Sequence, residues 1–327
     1  MGNGAREEIL RLFRRGGDLV SGEELSRILG ISRTAVWKQI RLLREQGYVI
    51  EAVPSRGYRL TSTPDLLLPA EIRAGLDTQI IGREIVYLAE ADSTNLRASL
   101  LGEAGSVEGT VVIADQQSAG KGRLGRRWSS PPGVNLYTSV LLRPPISPRS
   151  APQLTFLSAV ATAWAIEETS GLEPQVKWPN DILLGGKKVA GLLNEMSAET
   201  DRVHFVVLGI GVNLNMQAGQ FPQDLRYPAT SLTLETGRPI SRLRFARSLL
   251  HHLEGLYRVY LEKGFTPILL AWKNLFDLAG RQVEVDLQKR RLSGVAIGID
   301  EDGALLVRLV DGSTERVLAG DVTPADS

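Results

Sequence analysis

Two groups of side chains in this sequence have types and spacing suited to chemistry. The first is Gly120-Lys-Gly-Arg-Leu-Gly-Arg-Arg-Trp128, where four basic side chains share one loop with three glycines. Glycine lets the backbone approach a phosphate closely, and arginines can cover its oxygens. It is not a Walker loop, because the GxxxxGK[ST] spacing is absent, nor a dinucleotide fingerprint, because no helix opens after it. On these residues alone it reads as a flexible cationic arm or as a solvated turn. The second group is Asp181 and Lys188, seven positions apart with Gly185-Gly186 between them. A hairpin there brings a carboxylate and an ammonium together, either as a surface ion pair of little worth or as a pair bracketing a reacting anion. Asp92-Ser-Thr-Asn95 is a third cluster, whose plain role is to cap a helix. His204, His251 and His252 are the only histidines; the adjacent pair points about 100° apart on a helix, so no metal site is expected.

The elements that carry these groups follow from pattern. Gly109-Thr-Val-Val-Ile-Ala114 is a strand-type run feeding the Gly/Arg loop, and Gly82-Arg-Glu-Ile-Val-Tyr-Leu88 is a strand before the 92–95 cluster. Residues 129–142 return as a strand, a helix covers 153–169, and two strands flank Gly185-Gly186. Ser241 opens a helix over 241–263 with Leu249, Leu253, Leu256 and Tyr260 on an apolar face, and Trp164 and Trp272 sit in similar helical settings. Beyond Gly280 the pattern alternates, as in Val283-Glu-Val-Asp-Leu287, with Asp302-Gly and Asp311-Gly turns between strands.

The first sixty residues read differently. Ile9, Leu10, Leu12 and Phe13 mark a helix ended by Gly16-Gly17; Ser21-Gly-Glu-Glu is a capping-box start for a second, which Gly30 stops. Ser32 caps a third helix, with Val36, Ile40 and Leu43 inward and Arg33, Thr34, Trp37, Lys38 and Arg41 largely outward. Two short strands around Pro54-Ser-Arg56-Gly57 complete a unit resembling a winged helix-turn-helix. Recognition helix 33–44 would offer Arg33, Thr34, Trp37, Lys38 and Arg41 to DNA, and Arg56 would reach phosphate from the wing. Charge agrees: residues 1–60 carry 11 Lys+Arg against 7 Asp+Glu, while the chain as a whole balances at 38 against 37. The surplus lies entirely in 31–60, on Arg33, Lys38, Arg41, Arg44, Arg56 and Arg59. Thr61-Ser-Thr-Pro64 reads as a linker.

The chain has 327 residues, is 43% hydrophobic and contains no cysteine. That excludes disulfides, thiolate catalysis and Cys-type zinc sites. With no signal peptide and no stretch approaching the ~20 apolar residues of a membrane helix, a soluble cytoplasmic protein of two or three domains is expected.

These motifs carry a resemblance. The 120–128 loop is similar to the GRGRxGRxW loop of the biotin protein ligases, and Lys177-Trp-Pro-Asn-Asp181 to their KWPND motif. Asp92-Ser-Thr-Asn95 and Gly209-Ile-Gly-Val-Asn213 match two further family segments in the same order. With the helix-turn-helix in front, the chain resembles the bifunctional members that join a ligase to a biotin-operon repressor. One departure is Lys121, where the family has arginine; lysine keeps the charge and loses the planar fork. The resemblance implies an α+β protein: a winged helix-turn-helix over 1–63, a mixed-sheet ligase domain like the class II aminoacyl-tRNA synthetases over 64–277, and a small SH3-like β-barrel over 278–327. It implies that biotin and ATP form biotinyl-5′-AMP, with Mg²⁺ accompanying the nucleotide, before biotin passes to a lysine of a biotin carboxyl carrier protein. Lys188 would contact biotin and adenylate, and Arg123 would hold the adenylate. Ser93, Thr94, Asn95 and Gln117 would border biotin, with Lys121 and Gly122 closing over it. Trp128 and Asn213 fall within the matched motifs. Asp181 would help deprotonate the incoming amine or orient a cation, and Gly191, Gly209 and Gly211 would let backbone lie against the ligand. A homodimer carrying adenylate would bind operator DNA. Two other readings are a biotin-sensing regulator without catalysis and a lipoate or octanoate ligase; the KWPND segment and the DNA-binding head argue against the latter.

Overall fold

A computed structural model describes residues 2–15, 19–45, 47–225, 227–287 and 290–325. The expected helix stop at Gly16-Gly17 lies outside them. The chain divides into two compact units, Met1–Leu66 and Leu67–Ser327.

The first unit builds its core from Ile9, Phe13, Leu25, Val36, Ile40 and Leu43, the inward positions of helices α1 (Gly2–Arg15), α2 (Gly22–Leu29) and α3 (Arg33–Glu45). Ser21 Oγ accepts from the Glu24 amide at 3.0 Å and Ser32 Oγ from the Ala35 amide at 3.2 Å, so both helix starts are serine-capped, but the Glu24 side chain does not return the second bond of the expected capping box. Strands β1 (Val49–Val53) and β2 (Gly57–Ser62) pair antiparallel to form the wing. β2 runs into the residues read as a linker, because Ser62 still pairs with Val49 and Thr61 Oγ1 donates to the Val49 carbonyl.

The second unit opens with the short helix α4 (Pro69–Arg73). Its framework is a seven-stranded sheet of order β3-β4-β5-β9-β8-β7-β6. The members are β3 (Ile85–Ala91), β4 (Val111–Gln117), β5 (Leu136–Leu142), β6 (Gln175–Lys177), β7 (Asp181–Leu184), β8 (Lys187–Ala198) and β9 (Val203–Val212). Only β3 and β4 are parallel, so the sheet is mixed, as expected of an α+β ligase domain. The β3 strand lies about three residues later than the apolar run at Gly82 suggested. Helix α5 (Thr94–Glu103) covers one face. On the other, α6 (Gln153–Ser170), α8 (Arg242–Lys263) and α9 (Thr266–Lys273) bury the main core with Phe245, Leu249, Tyr257 and Trp272; α7 (Leu232–Thr236) is a single short turn between them in sequence. A five-stranded antiparallel sheet ends the unit. Its strands β10 (Gln282–Asp286), β11 (Arg291–Ile299), β12 (Leu305–Arg308), β13 (Thr314–Val317) and β14 (Asp321–Pro324) run in the order β13-β12-β11-β10-β14. This is the small all-β tail the alternation predicts. Among the described residues no helix is long and apolar enough to cross a membrane.

Candidate functional site

The Gly/Arg segment joins β4 to β5 and is not the loose arm its glycines suggest. Lys121 pairs with Arg127 in an isolated bridge, the Gly122 amide donates to the Arg126 carbonyl at 2.7 Å, and the Trp128 amide to the Gly120 carbonyl at 2.9 Å. The result is a hydrogen-bonded tongue whose tip, Arg123–Gly125, is a tight turn in which Leu124 takes a left-handed φ of 56°. Beneath it lies a cleft of about 480 Å³ lined by Lys121–Arg126 together with Leu193 and Glu195 of β8. Arg123 Nη1 donates to Asn180 Oδ1 at 3.2 Å and to the Gly320 carbonyl at 3.4 Å, and Arg126 pairs with Asp321. Burial pulls the Arg123 guanidinium below its ordinary value, with Asp181 and Asp321 acting against that pull.

The Gly-Gly hairpin does what the sequence asked of it. Gly185 and Gly186 take left-handed φ of 53° and 74°, and the returning strand brings Lys188 Nζ to 2.5 Å from Asp181 Oδ1. Asp181 faces Gly191 in register; a Cβ at Gly191 would lie 3.3 Å from Lys188 Cε, so the missing side chain opens the path by which the lysine reaches the carboxylate. Lys188 also stands over the Trp128 ring, 5.4 Å from its centroid.

Side chains from α5, β4 and β5 make a buried polar floor. The Thr94 amide and Oγ1 donate to Gln117 Oε1 at 2.8 and 3.2 Å, and Gln117 Nε2 donates to Ser130 Oγ at 2.9 Å. Ser139 Oγ lies 2.8 Å from Thr94 Oγ1 and 2.7 Å from Asn95 Oδ1. Asn95 Nδ2 donates to the Leu193 carbonyl at 2.9 Å and to Glu195 Oε2 at 2.7 Å. Ser93 is buried at the N-cap of α5, but its side chain makes no cap hydrogen bond. The plain capping role read for the 92–95 cluster is therefore corrected. Asp92 Oδ1 takes the Ser93 amide at 2.7 Å and Gln117 takes that of Thr94, which leaves the Ser93 hydroxyl free of capping duty.

Three glycines earlier assigned to ligand approach have side-chain neighbours here. A Cβ at Gly209 would lie 2.0 Å from Asn95 Oδ1. Cβ atoms at Gly211 and Gly191 would lie 2.7 and 2.8 Å from the Trp128 ring. The indole thus rests flat on β8 and β9, and its buried Nε1 finds no hydrogen-bond partner among the described residues. Asn213 is placed apart from this group: its Nδ2 donates to the Thr230 carbonyl at 3.1 Å, and its Oδ1 accepts from Asn135 at 3.4 Å. Its amide fixes the 213–230 segment rather than facing the cleft.

Sequence reasoning missed Ser139, Glu195 and Asn180, and left Lys177 unassigned. Lys177 and Asn180 lay inside a motif already noted; Ser139 gave no signal that set it apart from Tyr137 and Thr138, the neighbouring hydroxyls of the same strand. The three histidines each pair with a carboxylate, Glu199, Asp77 and Glu168 in turn. Among the described residues no His, Cys, Asp or Glu group has a metal-holding arrangement.

In the first unit Arg33, Thr34, Trp37, Lys38 and Arg41 lie exposed on α3, and Arg56 at the wing tip. Arg33 pairs with Glu23 at 2.9 Å; Arg41 lies 3.3 Å from Glu45 and 5.6 Å from the Trp37 ring centroid. Arg44 differs from these cations, since its guanidinium caps the Ile50 carbonyl at 2.8 Å and holds β1.

A winged DNA-binding unit and a ligase-type mixed-sheet body define the class. The comparisons with known proteins narrow it. Residues 5–59 match a helix-turn-helix domain model, 89–213 the biotin/lipoate A/B protein ligase family, and 279–323 the biotin protein ligase C-terminal domain. The bifunctional ligase/repressor BirA of Bacillus subtilis is 42% identical over 97% of this chain and 98% of its own length. That of Escherichia coli is 32% identical over 94% and 93%. The Aquifex aeolicus biotin protein ligase, solved with biotin and ATP, superposes with a TM-score of 0.63 at 29% identity, covering 74% of this chain and 98% of that one. This chain belongs to the bifunctional biotin ligase/repressor family.

Proposed function

We propose that the protein joins biotin to ATP to form biotinyl-5′-AMP, passes biotin to a lysine of a biotin carboxyl carrier protein, and represses biotin genes as an adenylate-bound dimer on operator DNA. The observation that carries the catalytic half is the 2.5 Å Lys188–Asp181 pair, next in sequence to the Asn180 that Arg123 of the cationic tongue contacts.

In the first step a biotin carboxylate oxygen attacks the α-phosphorus of ATP, a P–O bond forms, and the bond to pyrophosphate breaks. Negative charge grows on phosphate oxygens, so fixed cations are the device required. Lys188 and Arg123 supply them. Thr94, Asn95 and Gln117 form a preorganised floor under the acid, and the free Ser93 hydroxyl and the Trp128 Nε1 remain available as donors to it. In the second step the acceptor amine attacks the acyl carbon, the bond to AMP breaks, and Asp181 receives or directs the amine proton. Mg²⁺ would enter with the nucleotide phosphates, as this ion usually does; Asp181 and Asp321, the nearest carboxylates to the tongue arginines, are already engaged by cations.

The exposed cations of α3 and the wing support the regulatory half, since solvent-exposed Lys and Arg on a recognition helix meet phosphates and base edges. A dimer would present two such helices to a palindromic site. ATP and the acceptor both belong to the cytoplasm, which we assign as the setting.

The test is to incubate the protein with Mg-ATP and either biotin or lipoate, without acceptor, and to follow acyl-AMP and pyrophosphate. Biotin-dependent, retained adenylate is expected; biotin binding without adenylate would leave a sensor, and lipoate turnover would reassign the substrate.

A further inference from the structure

Asp181 has two ammonium neighbours, and they are not equivalent. Lys188 touches Oδ1 at 2.5 Å with its side chain 25% exposed. Lys177 lies 3.7 Å from Oδ2 with its side chain only 5% exposed. Lys177 and Asp181 are cross-strand partners of β6 and β7, and the Lys177 ammonium packs on the Tyr227 ring, 3.9 Å from the centroid. The segment carrying Tyr227 also grips the backbone of Lys188: the Lys188 amide donates to the Pro228 carbonyl at 2.7 Å and the Thr230 amide to the Lys188 carbonyl at 2.9 Å. One strap therefore covers the buried ammonium with an aromatic face and fixes the main chain of the other lysine, leaving that lysine's side chain free to turn.

We infer that Lys177 is a positioning residue of the ligase reaction, a standing counter-ion that keeps Asp181 paired and aimed while Lys188 leaves it for the phosphate. The inference rests on the ligase reading. If Lys188 is to neutralise a growing phosphate charge, it must give up Asp181. A carboxylate with a side chain 14% exposed, left without a cation, would hold Lys188 back. Lys177 supplies the second cation that lets it go. Its strand pairing, burial and ring contact keep it in place, whereas Lys188 stands over the Trp128 ring with its side chain 25% exposed. The charged groups that face Asp181 are Lys177 from β6, Lys188 from β8 and Arg123 from the tongue; the Tyr227 hydroxyl belongs to the ring that covers Lys177.

The experiment measures biotin-dependent pyrophosphate release by the full-length protein, for wild type and the variants Lys177→Met, Lys177→Arg, Asp181→Asn and Lys177→Met/Asp181→Asn. Lys177→Met is expected to lower kcat about ten- to hundredfold through misplacement of the reacting groups. Lys177 does not line the cleft, so KM for biotin should change little. Lys177→Arg should restore most of the rate, and in the Asp181→Asn background Lys177→Met should add little. No rescue by Lys177→Arg, or an equal loss from Lys177→Met with and without the Asp181 carboxylate, would overturn the inference and reduce Lys177 to packing. A wild-type protein that forms no biotinyl adenylate would fail the ligase reading itself, an outcome distinct from either.

Discussion

The cations of the two units are held in opposite ways. On α3, Arg33 and its partner Glu23 are 72% and 79% exposed, and Arg41 and Glu45 are 61% and 57% exposed. Such pairs are worth little and re-pair at little cost, which suits a surface that must exchange solvent and counter-ions for DNA phosphates. In the ligase body Lys177, Lys188 and Arg123 are drawn into contacts with Asp181, Asn180 and the Gly320 carbonyl. There the same charge type is aimed in advance, in a medium where its field is less screened. The difference teaches that a count of basic residues predicts an electrostatic partner in the first unit and says almost nothing in the second, where geometry decides.

The largest effect that would test this contrast comes from Lys188→Ala. Adenylate formation should fall about 10²–10³-fold, the range for loss of a preorganised charge-stabilising group, as measured by single-turnover pyrophosphate release. Arg123→Gly should act later in the sequence, letting biotinyl-AMP leak into solution, which filtration of enzyme from free adenylate would detect. A near-normal rate for the first variant and undiminished retention for the second would place the cations of the body on the same footing as those of α3.

Ionic strength probes the other side of the contrast. Operator affinity should fall steeply with salt, and Lys38→Ala, Arg41→Ala or Arg56→Ala should each reduce the slope of log affinity against log salt by about one. Adenylation, whose cations are partly buried, should vary far less over the same range. An equally steep loss of adenylation would break the distinction.

Much of this was legible in the sequence, and the part that was not has a physical reason. The α3 core positions, the serine caps and the Asp181–Lys188 approach all follow from spacing within one helix or one hairpin. The tongue was readable as cationic, but its closure by the Gly122 and Trp128 amides was not, because glycine signals freedom without saying which hydrogen bonds will use it. Long-range partners left no local trace. Asn95 meets Glu195 across 100 positions and Arg126 meets Asp321 across 195, and only the packing of a helix on one sheet and of a loop against another brings them together. Gly209 is the clearest case: its role is to make room for the amide of Asn95, a residue from another element.

Two glycines therefore offer a matched pair of substitutions with smaller effects. At Gly209→Ala the new Cβ would lie 2.0 Å from Asn95 Oδ1, and at Gly57→Ala, where φ is 127°, it would lie 2.2 Å from the Val20 carbonyl oxygen. Overpacking of this kind costs about 1–3 kcal/mol. Urea unfolding should show the first loss in the ligase body, with a raised KM for biotin as the Asn95 amide is displaced. The second should appear in the winged unit, with operator binding weakened and adenylation retained.

The smallest effect separates two helix starts by pH. The α2 cap is the neutral Ser21 hydroxyl, whereas the approach to α5 is held by the Asp92 carboxylate, which the Ser93 amide, aided by Arg97, keeps below the usual range. A carboxyl depressed on folding stabilises above its unfolded value of about 3.9 and loses that contribution as pH falls through the lower folded value. The Asp92 side chain is 36% exposed, so Asp92→Asn should cost about 0.5 kcal/mol or less near neutral pH once screening is allowed for. The gap between variant and wild type in thermal unfolding of the ligase body should close as pH falls from about 3.9 through the lower folded value, while the effect of Ser21→Ala on the winged unit should not change over that window. A gap for Asp92→Asn that persisted in acid would mean that the carboxylate acts through its shape, as an acceptor that asparagine replaces poorly, and not through its charge.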